Sequence, residues 1–429
     1  MNKKVKEIPT IALIGAGSRG YGAYGRIIKN RNDVKIVAVA EPDGTRRSKI
    51  AIENNIPENM QFNSWEELLS KDRLADGVII TTLDRMHVQP TIAAIEKGYY
   101  VLLEKPIAPT PEEVAKLLNV VEDRKGKVMI GHVLRYSDFF QKIKELIDSK
   151  IIGNLIGIDH EENVGFWHFA HSFVRGRSRK VDISSPSILA KSCHDMDILY
   201  WLVGTKCKEI SSFGELSYFK KENQPKGATE RCIDCPVEIE SKCPYSAKKI
   251  YLINYTDWPV SDISADLSYE GKIKALKEGP FGKCVYLCDN DVVDHQISNM
   301  TFENGVKVSF TMTAFTDKIT RTIRVFGSLG EIRGDFEKGE IEVINFANPI
   351  RNKYELNAYL INEGHGGGDV KLVEDFIEMM KGNKRLGRTE IRESAHSHFM
   401  AFAAEESRLN KKTVNINEYE KRYVNKGQE

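Results

Sequence analysis

Ile11-Ala12-Leu13-Ile14-Gly15-Ala16-Gly17-Ser18-Arg19-Gly20 decides how this chain is read. Four apolar residues form a short buried strand. Three glycines in the pattern G-x-G-x-x-G follow at once, and a helix-like stretch runs on to about Arg31. A second apolar run, Val34–Ala40, completes a unit of 30 residues from Ile11, the length of a strand–helix–strand crossover. Outward from there the alternation continues. Gly77–Thr82, Tyr99–Leu103 and Lys127–Gly131 read as strands. Thr45–Asn54, a helix capped by Ser64, Pro90–Lys97 stopping at Gly98, and a helix opening with Thr110-Pro111 lie between them. Short strands alternating with helices predict a doubly wound parallel sheet, a Rossmann domain over residues 1–131.

The glycines carry chemistry as well as shape. Gly15 suits the tight turn, Gly17 lets a pyrophosphate approach the backbone, and Gly20 lets helix and strand pack closely. The helix N-terminus then presents its positive dipole end to phosphate. Glu41 follows the second strand, 24 residues beyond Gly17, where a carboxylate binds a ribose 2′-hydroxyl and repels a 2′-phosphate. That favours NAD, while Arg46 and Arg47 keep NADP open. In an open α/β sheet ligands sit off the carboxyl ends of the strands. Ser18 and Arg19 of the loop, Thr82, Asp84 and His87 after the third strand, and Glu104 and Lys105 after the fourth are therefore expected to border the cofactor.

The rest of the 429-residue chain changes character. Asp138–Ser149 reads as a helix and Asn154–Val164 as a strand. Asp291–Phe302 and Gly305–Ala314 form a hairpin at Glu303-Asn304-Gly305, extended by Ile319–Gly327 and Glu331–Asp335. Asp369–Met380 is an amphipathic helix after three glycines, and Asn415–Glu429 is a polar tail. This predicts an α+β second domain over 132–429 with an open, mostly antiparallel sheet, and an irregular cysteine-bearing insertion over 225–290. Basic and acidic residues number 62 and 61, so the net charge is +1, which argues against nucleic acid and polybasic membrane anchoring. No apolar run approaches the roughly 20 residues of a membrane helix. The expectation is a cytoplasmic protein.

The Gly15–Gly20 loop, Thr82-x-Asp84-x-x-His87, Glu104-Lys105-Pro106, His194-Asp195-Met196-Asp197, Phe302-Glu303-Asn304-Gly305 and Gly327-x-x-Gly330 together resemble the glucose–fructose oxidoreductase / inositol dehydrogenase (Gfo/Idh/MocA) family, from about residue 8 to about 410. The resemblance implies an oxidoreductase that moves a hydride between NAD(P) and a hydroxyl or ketone of a sugar, inositol or related polyol. It implies that Lys105 bonds the reacting oxygen and that His194 is the general acid/base. The chemistry agrees. Hydride loss leaves charge on oxygen for an ammonium to stabilise, and imidazole accepts the hydroxyl proton. Many members carry an Asp four residues before that histidine; here the position is Ala190, followed by Lys191, a second cation expected to lower the His194 pKa or bind substrate. This departure keeps open a redox-neutral, NAD-dependent glycosidase. A non-catalytic dinucleotide sensor is the reading outside enzymes. Arg135, Tyr136 and, in an aromatic stretch, Trp167, His168 and Arg175 are expected to bind substrate. His365 could approach the cleft; the plainer reading is a flexible entry to a helix capped by Asp369. The open sheet implies a homo-oligomer, dimer or tetramer.

Seven cysteines, an odd number, argue against a secreted disulfide framework. Cys232, Cys235 and Cys243 cluster, and with Cys288, or Cys284, they have the donors for a structural zinc. The other reading is a set of reduced, partly buried thiols.

Overall fold

The computed structural model describes residues 8–348, 351–356, 365–383 and 387–424. Two sheets organise it. The first holds β1 (Thr10–Ile14), β2 (Lys35–Ala40), β3 (Gln61–Phe62), β4 (Gly77–Ile80), β5 (Tyr100–Leu103) and β6 (Lys127–Ile130) in the order β3-β2-β1-β4-β5-β6, all parallel. Strand order therefore reverses at β1, and the crevice beyond its carboxyl end is where such sheets bind ligands. The strands are buried runs because helices cover both faces. Helix starts lie where the capping residues put them. Asp43 accepts from the amides of Thr45 and Arg46, Ser64 from Glu67 and Thr110 from Glu113. The two-residue β3 was not expected; so short a strand has no periodicity to read.

The second sheet has nine strands: β7 (Leu155–Asn163), β8 (Cys207–Glu215), β9 (His295–Phe302), β10 (Lys307–Thr313), β11 (Thr320–Gly327), β12 (Gly330–Asp335), β13 (Glu340–Asn345), β14 (Arg351–Glu355) and β15 (Val414–Asn415). Their order is β14-β13-β12-β11-β7-β10-β9-β8-β15, and only β7 and β10 run parallel. Burial alternates along the central strands. One face packs under helices Asp138–Asp148, Cys193–Val203 and Ile391–Asn410; the other leaves the cross-strand pair Phe213 and Ile297 exposed. The 225–290 insertion builds short helices around its own small core of Cys232, Ala247, Ile250, Tyr251 and Leu276. Part of the polar tail is ordered as helix Ile416–Val424, with Ile416 and Tyr419 buried; residues 425–429 lie outside the described residues. Among the described residues no helix is long and apolar enough to cross a membrane.

The halves are not consecutive beads. Helix Gly368–Met380 comes late in the chain but packs its Leu372, Phe376 and Met379 with Ile11, Leu13 and Ile79 of the first sheet. Thr389 exchanges two hydrogen bonds with Ile130.

This packing corrects two substrate assignments. Arg135 grips Asp197 with Nε at 2.6 Å and Nη2 at 2.7 Å, both side chains being buried. Tyr136 is buried and donates to Asp375 at 2.8 Å. Each residue follows β6 directly, so it turns into the contact between the two halves rather than into the crevice. An Arg135→Met substitution leaves a carboxylate buried and unpaired, which costs about 3–5 kcal/mol. Urea unfolding should show that loss, and Arg135→Met with Asp197→Leu should recover much of it. A loss under about 1 kcal/mol for the single variant would contradict the role given to the pair.

Candidate active site

The loop after β1 has the form a dinucleotide requires. Gly15 has φ +91°, and a Cβ on it would lie 2.7 Å from the Thr81 carbonyl oxygen. At Gly20 a Cβ would lie 2.0 Å from the Gly15 carbonyl oxygen. Gly17 differs: the nearest other atom to its Cβ position is Arg46 Nη1 at 4.0 Å, so the backbone there faces open space that a Cβ would begin to fill. Ala16, Gly17, Ser18 and Arg19 line a cavity of about 720 Å³ with Arg46, Lys49, His365 and Asp369. Glu41, at the end of β2, is buried and accepts from the amides of Ala16 (2.7 Å) and Asp43 (3.0 Å). It is thereby fixed against the loop that would carry the pyrophosphate. These residues fit a dinucleotide.

Other expected cofactor residues are taken up within the protein. Arg19 binds Glu104 through Nε (2.6 Å), and Asp369 (2.6 Å) and Tyr24 (2.9 Å) through Nη2. Glu104 also accepts from Tyr24 and from the Lys105 amide. This cluster locks the glycine loop to the end of β5 and to helix Gly368–Met380. Thr82 Oγ1 donates to the Met86 carbonyl, and Asp84 accepts from Ser184. His87 is buried with Nδ1 2.6 Å from the Pro106 carbonyl and Nε2 3.2 Å from that of Thr82, so it braces the Glu104-Lys105-Pro106 turn.

Lys105 reaches the turn before His194, and its charge acts on that imidazole. Lys105 Nζ donates to the Ala190 carbonyl at 3.0 Å, four residues before His194. His194 is buried and its Nδ1 has no partner. Burial first, then the charge of Lys105 and the neighbouring His365, His132 and Arg321, push its pKa well below the usual imidazole range. Burial and these cations favour the neutral imidazole, the form that can accept a proton. Lys191 was expected to depress it; the cations that act are Lys105 and Arg321. Lys191 pairs with Glu162 at 3.2 Å, and burial lowers its own pKa against that carboxylate.

The histidine is positioned by residues that the sequence did not single out. Arg321 on β11 bonds Asp195 (2.7 Å) and Glu162 of β7 (2.5 Å), and Asp195 also meets His160 at 2.8 Å. Lys191, Glu162, Arg321, Asp195 and His160 form one buried chain of charge. The only sequence signal was a Glu and an Arg at inward-facing strand positions, which a charged side chain enters only with a partner. His365 lies 5.7 Å from the His194 ring, centroid to centroid, and its Nδ1 meets Asp369 at 3.2 Å. His132 lies 5.8 Å from His194 and 5.3 Å from His398.

Of the aromatic stretch, His168 is half-buried near Lys191 with its ring 4.8 Å from Trp258, and Trp167 lies 5.3 Å from Trp258. Arg175 is not a substrate ligand. It is buried, with Nε on the Lys283 carbonyl (2.8 Å) and Nη2 on the Tyr245 carbonyl (2.7 Å) and 3.5 Å from Cys232 Sγ. Among the described residues no three His, Cys, Asp or Glu side chains are grouped to hold a metal. Cys232, Cys235, Cys243 and Cys284 nonetheless lie near one another, with the Arg175 guanidinium against Cys232. Cys288 donates to the Cys284 carbonyl at 3.4 Å, its thiol pushed up to about 11 by burial.

The family model described as an oxidoreductase family, NAD-binding Rossmann fold, matches residues 10–132. Its companion, the C-terminal alpha/beta domain of the oxidoreductase family, matches residues 144–416. Together they span most of the chain, and the chain belongs to this family (Gfo/Idh/MocA). "Putative oxidoreductase YteT" of Bacillus subtilis (strain 168) is 23% identical over 393 residues, covering 86% of this chain and 88% of that protein. Inositol 2-dehydrogenase of Corynebacterium glutamicum (strain R) is 23% identical over 235 residues, 54% of this chain and 64% of that protein. A crystal structure of an oxidoreductase from Agrobacterium radiobacter in complex with NAD+, L-tartaric acid and magnesium shares the fold, with TM-score 0.70 at 15% identity over 96% of this chain and 99% of that one.

Burial lowers the pKa of His132, His168, His194 and His398, the last to about 3. Each is neutral when folded and takes up a proton when unfolded below its ordinary value of 6.5. The unfolded chain then binds more protons, so stability is full above that pH and is lost as pH falls, by up to about 1.4 kcal/mol per pH unit for each histidine. His132 faces Arg135, Lys105, Glu104 and, 3.8 Å away, Asp197, and both its ring nitrogens lack partners. Denaturant unfolding of His132→Asn between pH 6.5 and pH 5 should therefore show a slope shallower by about 1 kcal/mol per pH unit. Equal slopes in wild type and variant would count against a neutral, buried His132.

Proposed function

We propose that this chain transfers hydride between NAD(H) and a carbinol carbon of a sugar, inositol or related polyol. The observation that carries the reading is Lys105 bonded to the Ala190 carbonyl, one turn before the buried imidazole of His194 on which its charge acts. NAD(H), when bound, supplies the hydride acceptor or donor. In the oxidative direction the substrate hydroxyl gives its proton to His194, and Lys105 holds the charge that grows on the oxygen as hydride departs. The reverse direction uses the same two residues with the proton returned. Preference for NAD over NADP follows from Glu41, which the loop amides fix near the ribose position. The inositol dehydrogenase relative supports a polyol substrate. The open sheet face, with Phe213 and Ile297 exposed, is where a second copy would pack.

The test is to incubate the protein with NAD+ and a panel of inositols, free sugars and aryl glycosides, following nicotinamide absorbance and aglycone release together. NADH should accumulate with a polyol or sugar. Aglycone release without net NADH would instead assign the redox-neutral reaction. Lys105→Ala and His194→Ala should each lose about a hundredfold or more in turnover while still binding NADH. Gly17→Val should fold normally yet bind NADH at least about tenfold more weakly, because its side chain occupies the pyrophosphate approach. Full turnover in the Lys105 and His194 variants would remove the assignment.

A further inference from the structure

The cysteine-bearing insertion has no role in the reaction described so far. Its residues 255–267 nonetheless form a wall of the cavity that the glycine loop lines: Tyr255, Trp258, Ser261 and Leu267 face the same space as Gly17, Ser18 and Arg46. The segment is fastened at several points. Lys272, itself buried, donates from Nζ to the carbonyls of Ile253 (2.9 Å) and Tyr255 (3.3 Å). A lysine is buried at a cost that only such bonds offset, so they specify where this backbone runs. Val260 is fully buried. The Trp258 ring stands edge-on to His168 at 4.8 Å and to His171 at 5.5 Å, and Asp262 lies 3.5 Å from His171 Nε2. His168 in turn adjoins Lys191. One strap thus borders the phosphate-binding loop and leans on the wall of the reaction centre.

We infer that residues 255–267 are part of the cofactor site, with Tyr255 and Trp258 packing on the bound dinucleotide, so that NAD(H) leaves only when this strap lifts. The inference rests on the cofactor reading given above. It makes the insertion a retaining wall: the cofactor stays in place between accepting a hydride and giving it back. Aromatic side chains suit this position, because they add apolar contact area with little rotamer entropy to lose.

Hydrogen exchange of the full-length protein with and without NADH tests this directly. Peptides covering 255–267 should gain protection on NADH addition together with those covering the glycine loop. In stopped-flow displacement of NADH by excess NAD+, Tyr255→Ala and Trp258→Ala should raise the dissociation rate at least about tenfold. Tyr269→Ala, an exposed aromatic of the same insertion, should leave it unchanged. Protection confined to the glycine loop, with dissociation within about twofold of wild type in both strap variants, would overturn the inference and leave the cofactor reading standing. If NADH neither binds nor protects the glycine loop, both are overturned. The exchange measurement needs only the wild-type chain, so a variant that folds poorly does not blunt it.

Discussion

Two aspartates set two residues apart on one helix hold the centre of this molecule together. At about 100° per residue, positions i and i+2 point to nearly opposite sides of a helix. Asp195 therefore turns to the second sheet, where Arg321 waits, and Asp197 turns to the segment after the first sheet, where Arg135 waits. Both pairs are buried. Buried pairs add little net stability but are costly to break from one side, so they act mainly as fixings. His194 sits between these fixings, and its orientation to Lys105 follows from them. In the proposed reaction the motif His194-Asp195-Met196-Asp197 supplies one proton acceptor and two struts.

Local features were legible in the sequence, and long-range ones were not. The glycine loop, the capped helices and the strand alternation declare themselves within a few residues, because they are backbone geometry. Lys105 and His194 stood out for the family motifs they belong to. Arg135 and Arg175 were harder to read, since an arginine near a strand end or an aromatic stretch looks the same whether it faces a ligand, a buried carboxylate or a carbonyl, and Arg19 both lines the cavity and ties its loop to distant residues. Which it faces depends on partners such as Asp369, 350 residues from Arg19. The cysteine spacing likewise satisfied a zinc pattern while saying nothing of the guanidinium that stands against Cys232. Glu162 and Arg321 were invisible for the complementary reason. Each reads as an ordinary strand residue until the sheet brings them together.

The site gathers positive charge deliberately. Lys105, Lys191 and Arg321 lie within reach of one another, and the carboxylates of Glu104, Glu162 and Asp195 answer them. In the proposed reaction these cations would stabilise negative charge as it appears on an oxygen. They also favour the unprotonated imidazole. Replacing the family's frequent aspartate by Ala190 and adding Lys191 shifts this balance further toward positive charge, and Glu162 contains the shift.

The return of the late chain to the first sheet bears on how the protein is made. Helix Gly368–Met380 covers β4, where Met380 and Phe376 crowd Gly77, and Thr389 bonds the last residue of β6. A nascent chain emerges N-terminus first, and domains generally fold as they emerge. Here the first sheet cannot acquire its full cover until residues 368–389 have been made, about 240 residues after its last strand.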